Sequence, residues 1–115
     1  MLFNEKYGIS HISYNTGRII IDYSNDDDGY YEEEIDHMLA LVKGFSKLLG
    51  DEHESMGMMQ YRIRNSPYEF VIQWDNLCGI VITVENMRKL DEIVRFIKNS
   101  IYEINYNMLY LDREY

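Results

Sequence analysis

The sequence predicts an α+β domain: an antiparallel sheet of about five strands with two helices on one face, in the order ββαβββα. Three observations predict it. Apolar residues recur at helical spacing over 35–49 and 90–104. Four segments (7–14, 18–23, 59–64, 68–74) show the alternation or β-branched content of half-buried strands. Short clusters of Asn, Ser, Asp and Gly, with the single Pro, punctuate these segments. At 115 residues the chain makes one domain, residues 1–115, large enough to bury a core without cross-links.

Tyr7–Tyr14 alternates as a strand, with Gly8, Ser10, Ile12 and Tyr14 on one side and Tyr7, Ile9, His11 and Ser13 on the other. Asn15-Thr16-Gly17 turns the chain, and Gly17 supplies a residue that tolerates positive φ. Arg18–Tyr23 returns as the second arm of a hairpin. The first helix follows over Tyr30–Leu49, its buried stripe read as Ile35, Met38, Leu39, Val42, Phe45 and Leu49. Asp26 or Asp28 is placed to cap it, and Gly50 to stop it. Asp51–Gly57 reads as a polar loop. Met59–Arg64, Tyr68–Trp74 and Ile80–Val84 read as three strands, the last apolar enough to be central. Asn86 would cap the second helix, whose stripe is Leu90, Ile93, Val94, Ile97, Ile101 and Ile104, extending toward Met108 and Leu111.

Charge narrows the partners. The formal net charge is −9, from 20 Asp and Glu against 11 Lys and Arg. Such a surface repels phosphates, so nucleic acid and anionic membrane are not expected as partners. A basic protein would be attracted, and its encounter hastened. Cys78 is the one cysteine, which excludes an internal disulfide and suits the cytoplasm. The start, MLFNEKYG, lacks the pattern of a signal peptide, and no apolar run is long enough to span a bilayer.

Sites for chemistry are sparse, and neither an enzyme nor a cofactor is expected. With Gly29 at the sixth position of a calcium loop, Ser24 would open it and Ile35 close it, where Asp and a bidentate Glu are needed. His37, His53, Glu52 and Glu54 offer oxygen and nitrogen ligands but no recognised metal spacing, so a polar loop is the plainer reading and a small metal or enzymatic domain the alternative. Cys78 has no neighbouring His or cation to activate it. Tyr102, Tyr106 and Tyr110 recur every four residues beside the second helix stripe, either as the rim of the core or as an interface, including that of a homodimer.

The most unusual stretch is Asp22–Asp36. It holds eight carboxylates (Asp22, Asp26, Asp27, Asp28, Glu32, Glu33, Glu34, Asp36) and no Lys or Arg. Neighbouring charges about 7 Å apart repel by about 2 kcal/mol at an effective dielectric of about 20, before salt screening reduces this. The positive end of the helix dipole offsets only part of that. Charge carried for solubility alone could be spread; crowded charge is relieved by a cationic partner. Tyr30 and Tyr31 lie within the stretch and supply packed contact area. The expected partner-binding residues are therefore Asp22, Asp26, Asp27, Asp28, Tyr30, Tyr31, Glu32, Glu33 and Asp36.

In size, charge, single cysteine and the Tyr-containing acidic cluster, the chain resembles bacterial immunity proteins. That resemblance implies a role: neutralising a basic, nuclease-type toxin by presenting carboxylates where the toxin holds phosphates. A nucleic-acid mimic that inhibits a defence or DNA-binding protein is the alternative, and would need its carboxylates in two phosphate-like rows.

Overall fold

A computed structural model of the chain describes the backbone at residues 9–21, 31–50, 53–75 and 79–113; side chains 10, 31–33 and 105–113 are outside the description. In chain order the elements are β1 (Ile9–Ser13), β2 (Arg18–Ile21), α1 (Tyr31–Leu49), β3 (His53–Gly57), β4 (Gln60–Asn65), β5 (Tyr68–Asp75), β6 (Gly79–Val84), a 3-10 turn (Met87–Lys89) and α2 (Leu90–Arg113). The six strands form one sheet in the order β1-β2-β6-β5-β4-β3. Every neighbouring pair is antiparallel. A hairpin and a four-stranded meander are thus zipped together by β2 against β6. Helix α1 carries the chain from β2 across to β3 at the far edge.

The α+β class and antiparallel sheet agree with the sequence, but the sheet has six strands, not five. The extra one is β3, inside the stretch read as a polar loop. All five of its residues are exposed, so it lacks the buried alternation that identifies a strand. It is held by backbone pairing to β4, which no side-chain pattern records.

Cross-strand rows decide which face is buried. Ile19, Ile82 and Ile72 lie abreast, as do Ile21 and Ile80. These residues, with Ile63, Phe70 and Val84, form one core with Met38, Leu41, Val42 and Phe45 of α1 and Leu90, Ile93, Val94, Ile97, Ile101 and Ile104 of α2. Both helices therefore pack on a single sheet face. Phe45 sits at its centre, edge-on to Phe70 with ring centroids 5.0 Å apart.

The α1 stripe differs from the reading above in two places. Leu41 is fully buried, whereas Leu39 is 38% exposed. Met38, Leu41, Val42 and Phe45 keep the three-and-four spacing of one face, and Leu39 falls to its flank. In β1 a register shift between Ile9 and His11 brings Ile9 and Ile12 both against the core, where strict alternation had them on opposite sides. Asn86 does not cap α2 with its side chain. Its Nδ2 instead donates to the Pro67 carbonyl at 3.5 Å, across the β4–β5 turn, where the Ser66–Pro67 peptide is cis.

The hairpin turn and the helix pair each require a glycine. Gly17 has φ +71°, and a Cβ there would stand 2.8 Å from Met87 Sδ. Gly44 lies where α1 meets α2, and a Cβ would stand 2.7–2.9 Å from three side-chain carbons of Ile104. Gly50 ends α1 at φ +68°, as expected. Asn65 Nδ2 then donates to the Leu49 carbonyl at 2.6 Å, satisfying a helix-terminal acceptor from the neighbouring strand. Among the described residues no helix is long and apolar enough to cross a membrane.

Candidate functional site

The acidic stretch ends on α1, and the helix is anchored downstream. Met38, Leu41, Val42 and Phe45 are between 0% and 2% exposed, which fixes the axis of the helix against the sheet. Its first turn therefore projects in a set direction. Of the expected partner-binding residues, Asp22, Asp26, Asp27, Asp28 and Tyr30 lie outside the described residues. Tyr31, Glu32 and Glu33 open α1, with side chains outside the description. Asp36 is exposed on the helix surface.

Glu34 is set apart from its neighbours. It is half-buried, and its Oε1 lies 3.1 Å from where a Gly79 Cβ would stand. The carboxylate is thus packed on the backbone at the start of β6. A Cβ there would crowd the end of the Glu34 side chain, and the φ of +78° at Gly79 favours glycine. Not every carboxylate of the run is presented outward, a distinction that the sequence does not carry.

Alongside Asp36, α1 has a second stripe. Asp36, Leu39, Ala40 and Lys43 share one flank at the i, i+3, i+4, i+7 spacing of a helix face. Together with His53 of β3 and Tyr61 of β4 they line a groove between the helix and the edge of the sheet. The rings of His53 and Tyr61 meet edge-on, with centroids 5.7 Å apart. Ser46 Oγ lies 3.3 Å from His53 Nδ1, tying the start of β3 to the helix. Sequence reasoning missed this groove because it assigned Leu39 to the core and β3 to a loop. The flank spacing was the available signal.

Of the four side chains considered for metal chemistry, the three described ones, His37, His53 and Glu54, are not brought together. His37 is buried on α1, and burial lowers its pKa to about 3, so the ring is neutral at physiological pH. His53 lies on the helix side of the edge strand, opposite Ile63, and Glu54 on the other side, opposite Arg62. Glu52 is outside the described residues. Among the described residues no group of three or more His, Cys, Asp or Glu converges.

The sheet face turned away from the helices mixes apolar Ile20, Val71 and Val81 with charged side chains. Arg62 donates from Nε to Glu85 Oε1 at 3.0 Å and from Nη2 to Glu85 Oε2 at 3.1 Å. Arg64 stands opposite Glu69. On α2, Tyr102 is 65% exposed, while the side chains of Tyr106 and Tyr110 lie outside the described residues. Comparison with protein-family models, with curated proteins and with solved structures finds no match.

Proposed function

We propose that the chain is a bacterial, cytoplasmic immunity protein. It is a protein-binding inhibitor, not an enzyme, and neutralises a basic, nuclease-type toxin through the acidic face at the start of α1. One observation carries this reading: eight carboxylates without a single cation in Asp22–Asp36. The rigid seating of α1 behind that stretch supports it, because charge mounted on an anchored helix loses little freedom when a partner binds. Exposed Asp36 continues the acidic run along the helix.

In this role Asp26, Asp27, Asp28, Glu32, Glu33 and Asp36 meet Arg and Lys of the toxin, and Tyr30 and Tyr31 are the packed anchors. Desolvated charge pairs at such interfaces are worth several kcal/mol each, so a few residues dominate. The test is Asp27→Lys combined with Glu33→Lys, assayed for protection of cells that express the cognate toxin. Protection is abolished while far-UV circular dichroism is unchanged. Full protection by a folded double variant refutes the assignment.

A further inference from the structure

We propose that the groove between α1 and the outer edge of β3 seats an extended, basic segment of a protein partner, which joins the sheet as a further strand. The proposal rests on the reading of the chain as a binder of cationic proteins, and adds the second surface such a partner would use.

Three features select that occupant. First, β3 is an edge strand that pairs with β4 alone among the described residues, and all of it is exposed. An open edge offers a row of backbone donors and acceptors, and the ligand that satisfies such a row is another strand. The register shift between Ser55 and Gly57 breaks the ladder there, so His53–Ser55 is the straight stretch available for pairing. Second, apolar surface is left open along this side. Leu39 is 38% exposed within the groove, and Met56 and Met58, at and beyond the end of β3, are 41% and 89% exposed. An apolar side chain of an incoming strand would find its seat at Leu39.

Third, the groove is polarised. Asp36 lines one end and Lys43 the other, seven residues or about 10 Å further along the helix. Among the described residues Asp36 is the one carboxylate lining the groove, so a cation is attracted to that end. A partner strand thus enters with Lys or Arg toward Asp36 and no cation toward Lys43. Leu39 and Tyr61 lie between these ends, where an apolar side chain inserts. Glu54, on the opposite side of β3, is available to a second cation of the same strand.

The experiment is an NMR titration of the isotope-labelled full chain. The probe is the synthetic peptide Lys-Thr-Leu-Lys-Ser, which sets one lysine, the leucine and the serine on one side of a strand and the second lysine on the other, with its counterpart carrying glutamate for both lysines as control. The basic peptide shifts the amides of His53–Gly57 and of the Asp36–Lys43 flank and slows hydrogen exchange along β3; the acidic peptide does neither. Leu39→Lys, at an exposed position, weakens the basic peptide about tenfold. Ser55→Pro, which removes a backbone N–H from β3, abolishes the β3 response. Shifts confined to residues 22–36, an equal response to both peptides, or no response overturns the proposal. The first of these leaves the acidic face standing as a binding surface. Loss of that broader reading is seen separately, in the protection assay.

Discussion

Gly44 tests whether α1 and α2 touch as closely as described. Gly44→Ala would ordinarily stabilise a helix interior by about 1 kcal/mol, because alanine loses less backbone freedom. Here the new Cβ would stand 2.7 Å from Ile104 Cγ1, 2.8 Å from Cδ1 and 2.9 Å from Cγ2. Ordinary carbon contacts begin at about 3.5 Å, so relief requires a movement of about 0.7 Å. Ile104 cannot supply it by rotation. Both γ carbons branch from Cβ, χ1 is restricted in a helix, and the residue is only 4% exposed. The helices must separate instead, loosening the packing around Ile101 and Phe45. Overpacking of this kind costs about 1–3 kcal/mol, and three simultaneous clashes put Gly44 in the upper part of that range. After the propensity gain, the expected net loss is about 1–2 kcal/mol, or about 3–8 °C in Tm. Urea unfolding followed by far-UV circular dichroism measures it. Ile104→Ala removes all three clashing carbons, so the double variant should be more stable than the sum of the single losses by about 1 kcal/mol or more. A Gly44→Ala variant more stable than the parent, with additive effects at Ile104, refutes the helix contact.

Three further outcomes follow from the packing and electrostatics. His37 titrates near pH 6.5 when unfolded but near 3 when folded, so the unfolded state alone takes up its proton between those values. Its effect on stability is nil above about pH 6.5 and grows as pH falls, reaching about 2 kcal/mol of loss at pH 5 and about 4–5 near pH 3. His37→Leu should remove that share of the slope in urea midpoints measured from pH 7 to 5; an unchanged slope places the imidazole in water. Phe45→Ala deletes a fully buried ring packed on Phe70 and Phe96 and should cost about 3–5 kcal/mol by the same unfolding measurement, and a loss under about 1.5 refutes its central place. Arg62→Ala breaks the two-pronged contact to Glu85, but the side chains are 23% and 34% exposed, so the expected loss is no more than about 1 kcal/mol and should shrink in 1 M salt.

The reach of the sequence differs from element to element. Helix α2 was read almost residue by residue, because all six apolar positions of its stripe face one core and the 3.6-residue period is unambiguous. Helix α1 was placed to within a residue at its start, yet Leu39 and Leu41 exchanged roles, since a stripe wider than one face can be drawn through either. Strand β3 was invisible. The candidate site divides in the same way. The density of charge in Asp22–Asp36 is a property of the chain alone, but the groove beside it joins residues from α1, β3 and β4.

Composition and periodicity by themselves determined the α+β class, two one-faced helices, an antiparallel sheet and a concentrated negative charge. These follow from which side chains avoid water and how often they recur, and both are local quantities. Tertiary structure alone decided the strand order β1-β2-β6-β5-β4-β3, the existence of an exposed edge at β3, the withdrawal of Glu34 onto Gly79 and the fit of Gly44 against Ile104. Each depends on backbone pairing or on contact between residues far apart in sequence, for which side-chain patterning carries no record.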